Sequence, residues 1–342
     1  MGKWLRRIAL GVVGVVVLTV LAGAAFEGLS RAAAARSFPP PGRLVDVGGG
    51  RRIQLDCRGT GTPVVVFESG LDTLGSLSWT RVQPQVAATT RACAYSRAGI
   101  MWSDPASGPF DVRREARDLH NALAAAGEKP PFVMVGHSLG GPYLLTYTGL
   151  YGGEVAGLVF VDASHPDQIA RLRDAIGRDV PEDAGMIKAA DALAWSGAVR
   201  LFAPKGTVAP ASAPPSMVAI ASAWQPQSIH GAVRESDALP ATLAIAGQSR
   251  RLGDRPLVVL TRTATASPEA LKAMGLSAAE GRKMDDEWRA MQDDEATWST
   301  RSRHQFAPNA SHYIQLDQPQ VVIAAVRDVV SQVRADASAH AR

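Results

Sequence analysis

The sequence Phe-Val-Met-Val-Gly-His-Ser-Leu-Gly-Gly at residues 132–141 decides the fold class of the protein. It joins an unbroken apolar run, typical of a strand buried on both faces, to the pattern Gly-x-Ser-x-Gly around Ser138. A helical stretch, Pro142–Tyr151, follows directly. Such a turn holds its serine in a sparsely allowed backbone conformation, and glycines two positions away on either side avoid a clash. We therefore predict a strand–turn–helix unit that exposes the Ser138 hydroxyl near a helix N-terminus, where developing negative charge is favoured.

The chain around this unit alternates β-branched runs with helical stretches, which is typical of a parallel α/β sheet. Five runs are predicted as buried strands: Pro63–Phe67, Phe132–Gly136, Gly157–Asp162, Pro256–Thr261 and a shorter one near His304–Ala307. Helices are predicted at Asp111–Ala126, after Ser267-Pro268, from the capping box Ser277-x-x-Glu280 to about Ala296, and at about Gln318–Ala335. The interval 163–255 is far longer than an ordinary connection, so we interpret it as a mainly helical insertion.

The N-terminal segment has the composition of a membrane helix. Lys3, Arg6 and Arg7 precede the uncharged stretch Ile8–Phe26, which as a helix is about 28 Å long and matches a bilayer core. We expect a retained single-pass anchor in the cell membrane, with the cations in the cytoplasm and the folded domain outside. The alternative is a signal peptide cleaved at Ala22-Gly23-Ala24, which would secrete the domain.

The net charge of +4 in 342 residues comes mainly from those three cations, because residues 27–342 carry only about +1. A nucleic-acid partner is not expected, since binding one needs a clustered basic stripe. The chain divides into a membrane anchor or signal peptide (1–26), a linker (27–42), a catalytic domain (43–335) and a tail (336–342). The linker is predicted from an alanine-rich stretch followed by three consecutive prolines, which exclude helix and strand ladder.

A serine hydroxyl needs a neighbouring base to act as a nucleophile. Seven histidines are present, and His312 lies in a loop between the last predicted strand and the terminal helix. A sheet that gathers its loops at the C-terminal ends of its strands places a base there. We therefore predict Ser138 as the nucleophile and His312 as the base.

Five motifs make the chain resemble the α/β-hydrolase superfamily, and in particular its exported or membrane-anchored bacterial branch. They are Pro41-Gly42, Glu68–Thr73, Gly136–Gly141, Val161–Gln168 and Ser311–Pro319. The resemblance covers about residues 41–335. It implies an eight-stranded, mostly parallel sheet flanked by helices, a helical cap within 163–255, and a catalytic triad in the order serine, acid, histidine.

The resemblance also implies an oxyanion hole made of two backbone N–H groups. One belongs to Leu139, directly after the nucleophile, and the other to Leu71. Many superfamily members carry His-Gly before the second donor, whereas this chain has Ser69-Gly70, so its loop must be supported differently. Another departure is Ser96, where relatives usually have the aspartate of a Tyr-Asp-Arg sequence.

The acid of the triad is the least determined member. Many relatives place it two to four residues beyond the strand equivalent to 256–261, but residues 262–266 contain no carboxylate. Asp162 ends the preceding strand, a position that some family members use, and we predict it as the acid that orients His312. The alternatives are a structural role for Asp162 and Glu269 as a reserve acid.

The two cysteines, Cys57 and Cys93, lie in predicted strands and have no metal-ligand spacing. They could form a disulfide in an oxidising compartment, or they could be two separate buried residues. The resemblance places their strands side by side.

The predicted function is a serine hydrolase that cleaves a carboxylic ester or related acyl bond of a small, apolar substrate through an acyl-enzyme. No metal or organic cofactor is implied. Serine in the nucleophile position argues against the superfamily members that use aspartate on epoxides or haloalkanes. The alternatives are other serine-dependent acyl chemistry (acyl transfer, peptide cleavage or perhydrolysis) and an inactive hydrolase fold used for binding.

Overall fold

The computed structural model of the chain describes residues 2–179, 184–202 and 209–340. Its centre is one eight-stranded sheet in the order β1-β2-β4-β3-β5-β6-β7-β8. The strands are β1 Arg43–Gly48, β2 Arg51–Arg58, β3 Val64–Glu68, β4 Ala92–Tyr95, β5 Phe132–His137, β6 Val155–Val161, β7 Leu257–Arg262 and β8 Ser302–Ala307. Strand β2 pairs antiparallel with β1 and β4, and all the other pairs are parallel. The predicted eight-stranded, mostly parallel sheet is therefore confirmed.

Thirteen α-helices accompany the sheet in the described part of the chain. They are α1 Gly2–Ser37, α2 Gln83–Ala87, α3 Val112–Ala125, α4 Gly140–Tyr151, α5 Gln168–Ile176, α6 Ala184–Leu193, α7 Ala198–Phe202, α8 Pro215–Asp237, α9 Leu239–Ala246, α10 Pro268–Ala273, α11 Ala278–Glu295, α12 Ile314–Asp317 and α13 Pro319–His340. The helices α3 and α4 cover one face of the sheet with apolar side chains, and α2 and α13 cover the other. This two-sided cover explains why the central strands read as unbroken apolar runs.

Five helices, α5 to α9, lie between β6 and β7, in the interval that the sequence predicts as a helical insertion. The longest of them, α8, joins the insertion to the loop after β4, because Ser228 Oγ accepts a hydrogen bond of 2.8 Å from the backbone N–H of Met101. We call the insertion the cap. Residues 180–183 and 203–208 of the predicted insertion lie outside the described residues.

The N-terminal helix is longer than the segment predicted as the membrane anchor. Helix α1 does not end at Phe26 but continues to Ser37, so non-helical chain is confined to residues 38–42 of the predicted linker. The physical reason is that the alanine run favours helix, and only the following prolines stop it. Helix α1 is long and apolar enough to cross a membrane, and its most apolar stretch is fully exposed.

The cysteines are paired across two neighbouring strands. Cys57 of β2 lies opposite Cys93 of β4 in the sheet register, with 4.0 Å between their Cα atoms, and a disulfide joins them. Glu128 lies near both sulfur atoms, but the disulfide leaves no thiolate to bind a metal ion. The structure thus joins the two cysteines rather than burying them separately.

Candidate active site

Ser138 lies in the turn between β5 and α4, with a left-handed backbone conformation (φ 53°) and partial exposure. The glycines on either side are required by close contacts. A Cβ atom on Gly136 would lie 2.8 Å from the carbonyl carbon of Gly140, and one on Gly140 would lie 2.7 Å from the backbone oxygen of Glu68. The turn therefore matches the strained strand–turn–helix unit that the Gly-x-Ser-x-Gly spacing predicts.

Backbone hydrogen bonds gather the carboxyl ends of three strands around this turn. The Ser138 N–H donates to the Val161 oxygen (3.2 Å), and the Ser164 N–H donates to the Ser138 oxygen (2.9 Å). The Asp162 N–H donates to the Leu260 oxygen of β7 (2.7 Å). The parallel sheet thus places the residues that follow β5, β6 and β7 side by side at the carboxyl ends of the strands, which we call the carboxyl edge of the sheet.

Asp162 and His312 meet at this edge. The His312 Nδ1–H donates to Asp162 Oδ2 at 2.6 Å; the carboxylate is fully buried, whereas the imidazole is about one third exposed. A proton on Nδ1 leaves Nε2 as the basic nitrogen. The reserve acid, Glu269, is exposed in the first turn of α10 and interacts there with Ser267. The structure therefore pairs His312 with Asp162.

Asp162 is held as an anion by several donors. Besides His312, the backbone N–H (3.1 Å) and the guanidinium (2.9 Å) of Arg262 donate to it, as does the indole N–H of Trp288 (3.0 Å). Burial alone raises the pKa of Asp162. The hydrogen bond from His312 and the charge of Arg262 outweigh burial and hold that pKa well below its usual range.

Arg262 is a site residue that sequence reasoning missed. It ends β7, and its guanidinium bridges Asp162 and Asp285 of α11, at 2.9 and 3.0 Å. It also lies over the ring of Trp288, 5.1 Å from the ring centre. The available signal was its position, since the end of β7 lies beside the end of β6 in a parallel sheet.

His137, next to the nucleophile, holds the loop of the base. Its Nε2–H donates to the backbone oxygen of His312 at 2.8 Å, and its Nδ1 is buried without a partner among the described residues. Burial and the nearby charge of His312 lower the pKa of His137 to about 3. The ring therefore stays neutral and positions His312 through one hydrogen bond.

The two predicted oxyanion-hole residues lie beside Ser138. Leu139 directly precedes α4, so its N–H is one of the groups that a helix N-terminus leaves unpaired. On the other side, a Cβ atom on Gly70 would lie 2.9 Å from Ser138 Cβ, so the loop that carries Leu71 passes directly beside Ser138. This loop after β3 and the turn after β5 form the two walls of the site.

Arg97 supports the loop after β3 from inside the protein. Its guanidinium donates to the backbone oxygens of Ser69 (2.8 Å) and Gly70 (2.7 Å). It also forms ion pairs with Glu68 at 2.6 Å and with Glu235 of the cap helix α8 at 2.7 Å. All three charged groups are buried. Arg97 is thus the alternative support that the absent His-Gly sequence requires.

Three carboxyls around Arg97, those of Glu68, Asp72 and Glu115, have raised pKa values. Burial raises the pKa of Glu68 to about 6 despite the neighbouring charge of Arg97, and it raises the pKa of Asp72 to about 6. Burial and the charge of Glu235 raise the pKa of Glu115 on α3 to about 8. This region therefore binds protons more readily than the unfolded chain, in contrast to Asp162.

Comparison with known proteins gives a consistent picture of the fold. A family model described as the alpha/beta hydrolase fold matches residues 62–227. A thermophilic esterase from Thermogutta terrifontis is 18% identical, covers 85% of this chain and 98% of its own, and has a TM-score of 0.53. The epoxide hydrolase CorEH is 16% identical with the same coverage and a TM-score of 0.57.

A curated relative is the probable transporter efuK of Hormonema carpetanum, which is 36% identical over 128 residues. The match spans 35% of this chain but only 18% of that protein, so the chain spans less than a fifth of this relative's length.

The sheet, its flanking helices and the Ser138 turn define the class of α/β-hydrolase folds. The chain has the α/β-hydrolase fold. The fold supports hydrolase activity in general. Because an esterase and an epoxide hydrolase share it, the bond that is cleaved has to be inferred from the site.

Proposed function

We propose that the protein is a serine hydrolase that cleaves a carboxylic ester or a related acyl bond through an acyl-enzyme. One observation carries the proposal: Ser138, in its strained turn, shares a sheet edge with His312, whose Nδ1 is bound by the buried anion of Asp162. This is the combination of nucleophile, base and orienting acid that makes a serine hydroxyl reactive.

In the proposed reaction, His312 Nε2 removes the proton of Ser138 Oγ as that oxygen attacks the substrate carbonyl. Asp162 stabilises the resulting imidazolium, which then gives its proton to the leaving group. The N–H groups of Leu71 and Leu139 bind the oxyanion. By analogy with other oxyanion holes, each group lowers the activation barrier by about 3 kcal/mol. A water molecule activated by His312 then releases the acid and restores Ser138.

The nucleophile separates this proposal from the chemistry of one structural neighbour. The epoxide hydrolase CorEH has the same fold, but serine at position 138 favours carbonyl attack and an acyl intermediate. Acyl transfer, peptide cleavage and perhydrolysis would use the same intermediate with a different leaving group or acceptor. A panel of esters, thioesters and amides distinguishes them.

A fluorophosphonate probe, which modifies activated serines, tests the proposal on membranes that contain the full chain. We expect labelling of the wild type and none of Ser138→Ala. The variant Ser267→Ala, which removes the exposed hydroxyl that caps α10, should label like the wild type. Absence of wild-type labelling, under conditions that label a known serine hydrolase, would favour an inactive fold used for binding. A p-nitrophenyl ester series of increasing acyl length then reports the substrate preference.

We also propose that α1 is a retained single-pass anchor with the catalytic domain on the extracytoplasmic side. The continuous helix from Gly2 to Ser37, the cations at its start and the disulfide of an oxidising compartment support this orientation. Mass spectrometry of the mature chain provides the test. A peptide that contains Ile8–Phe26 supports the anchor, whereas a chain that begins after Ala24 shows a secreted enzyme.

A further inference from the structure

Helix α1 packs against the cap at the turn between α6 and α7. The backbone oxygen of Ser196 occupies the space that a side chain on Gly23 would need. Gly197 has a left-handed conformation (φ 76°), and a Cβ atom on it would lie 2.8 Å from the ring of Phe26. Two glycines, one on each element, therefore allow the helix and the cap to approach closely.

An ion pair fixes this contact immediately beyond Phe26. The carboxylate of Glu27 accepts hydrogen bonds of 2.6 and 3.0 Å from Arg200 on α7, and the glutamate is only 3% exposed. Arg200 also donates to the backbone oxygen of Ala223 on α8, at 2.8 Å. The contact thus buries an ion pair between α1 and the cap, and its charge-assisted hydrogen bonds join the two elements.

The cap exposes a cluster of large apolar side chains next to this contact. The four residues are Leu193 (50% exposed), Trp195 (53%), Leu201 (62%) and Phe202 (81%). Of the eight exposed large apolar residues described beyond α1, these four lie within ten positions. Residues 192–199 also contain no charged side chain. Concentrated exposed apolar surface of this kind marks an interaction site, whereas single exposed apolar residues do not.

The contact with α1 determines the depth of this cluster relative to a bilayer. Gly23 and Phe26 are in the last turn of the apolar segment Ile8–Phe26, so Gly23 is about 4–5 Å inside the end of the segment. Ser196 and Gly197 contact that turn and must lie at a similar depth. This depth is the interfacial zone of a membrane, where tryptophan is enriched and apolar side chains reach the acyl chains.

We infer that the apolar surface of the cap, Leu193–Phe202, is inserted in the interface of the bilayer that α1 crosses. The inference rests on the proposed membrane anchoring of α1 and does not depend on the chemistry of Ser138. A bilayer is favoured over a second copy of the chain because the surface adjoins the apolar segment of α1. The catalytic domain is then held at one orientation, with its cap against the lipid.

Depth-dependent fluorescence quenching tests this insertion with the full chain in vesicles of phosphatidylethanolamine and phosphatidylglycerol. Because Cys57 and Cys93 are joined in a disulfide, a cysteine introduced at position 202 (Phe202→Cys) can be labelled selectively with nitrobenzoxadiazole. Lipids that carry a spin label near the headgroup end of the acyl chain should quench this probe. The matched control is Phe306→Cys, on the edge strand β8, where the phenylalanine is also exposed (47%).

We expect several-fold stronger quenching at position 202 than at position 306, with both variants unfolding at the wild-type temperature. A probe at Leu18→Cys, about 12 Å inside the end of the apolar segment, is read with lipids that carry the spin label near the end of the acyl chain, and it reports the anchoring itself. If position 18 is quenched and position 202 behaves like 306, the inference is wrong although the anchor is real. If position 18 is not quenched, the proposed anchoring fails and the inference fails with it. Shielding at position 202 that grows with the protein-to-lipid ratio, without quenching, would identify a second copy and overturn the inference.

Discussion

Two arginines at the carboxyl edge of the sheet each bridge two carboxylates, but they act on different parts of the site. Arg262 lies between Asp162 and Asp285, at 2.9 and 3.0 Å. Arg97 lies between Glu68 and Glu235, at 2.6 and 2.7 Å. The two clusters flank the Ser138 turn, one on the side of Asp162 and His312 and the other under the loop after β3.

The remaining contacts of each arginine explain the difference. The carboxylate of Asp162 also binds the His312 imidazole, so the charge of Arg262 acts on the group that we propose stabilises the base. The spare N–H groups of Arg97 donate to the backbone of Ser69 and Gly70, so this arginine acts on the shape of a loop. In the proposed mechanism, similar ion pairs thus adjust proton transfer in one cluster and loop geometry in the other. Substitutions in the two clusters should therefore change different measured quantities.

The largest expected effect is that of Asp162→Asn on turnover. An amide cannot stabilise the His312 imidazolium as the carboxylate does, so we expect kcat for a p-nitrophenyl ester to fall by about 10⁴-fold. The matched control is Asp285→Asn, which removes the outer carboxylate of Arg262 and leaves the pair of Asp162 and His312 intact. Wild-type turnover by Asp162→Asn would show that another group, or none, serves as the acid.

The second effect is on stability, in Arg97→Met. This change leaves Glu68 and Glu235 buried without their cation, and we expect the free energy of unfolding in urea to fall by about 3–5 kcal/mol. Adding Glu68→Gln and Glu235→Gln removes the buried charges and should restore part of that stability. The triple variant should still have a low kcat, because nothing then holds the backbone oxygens of Ser69 and Gly70. Full recovery of kcat would contradict the role of Arg97 in supporting the loop.

A smaller effect is expected in the pH profile of Arg262→Met. Without the guanidinium, the charge of Asp162 is less compensated and stabilises the protonated imidazole of His312 more strongly. The acid limb of kcat/KM should move to higher pH by about one unit, which corresponds to about 1.4 kcal/mol. Arg262→Lys keeps the positive charge and should keep the limb in place. A limb that moves equally in both variants would mean that Arg262 acts through geometry instead of charge.

The parts of the molecule that sequence predicts are those encoded locally or by strand topology. The glycine spacing around Ser138 specifies its turn, and the parallel order of β5, β6 and β7 brings Asp162 to the edge where Ser138 lies. In the same way, the loop after β8 carries His312 to that edge. In each case the sequence pattern lies within a few residues of the side chain whose position it predicts.

The partners of the buried charges could not be predicted, because they come from distant segments. Arg97 meets Glu235 across 138 residues, and Glu27 meets Arg200 across 173, since both pairs depend on how the cap packs. The length of α1 also depends on the cap. The prolines at residues 39–41 indicated a linker, whereas the preceding alanines and the contact with the cap extend the helix to Ser37.

The smallest expected effect uses the opposite pKa directions in the two clusters. Burial raises the pKa of Glu115 to about 8, so the folded protein keeps this proton after the unfolded chain has lost it, and stability falls as pH rises through that window. In Glu115→Gln this loss is absent, and the decline in the free energy of unfolding from about pH 5 to about pH 8 should shrink by at least about 1 kcal/mol.

Asp162 has a lowered pKa, so its contribution is present above the unfolded value and is lost only in more acidic solution. The carboxyl of Asp162 therefore contributes no slope of its own between about pH 5 and about pH 8, and urea unfolding of Glu115→Gln and the wild type at several pH values isolates the slope due to Glu115. Equal slopes for Glu115→Gln and the wild type would show that Glu115 is already ionised in the folded protein at the lower pH.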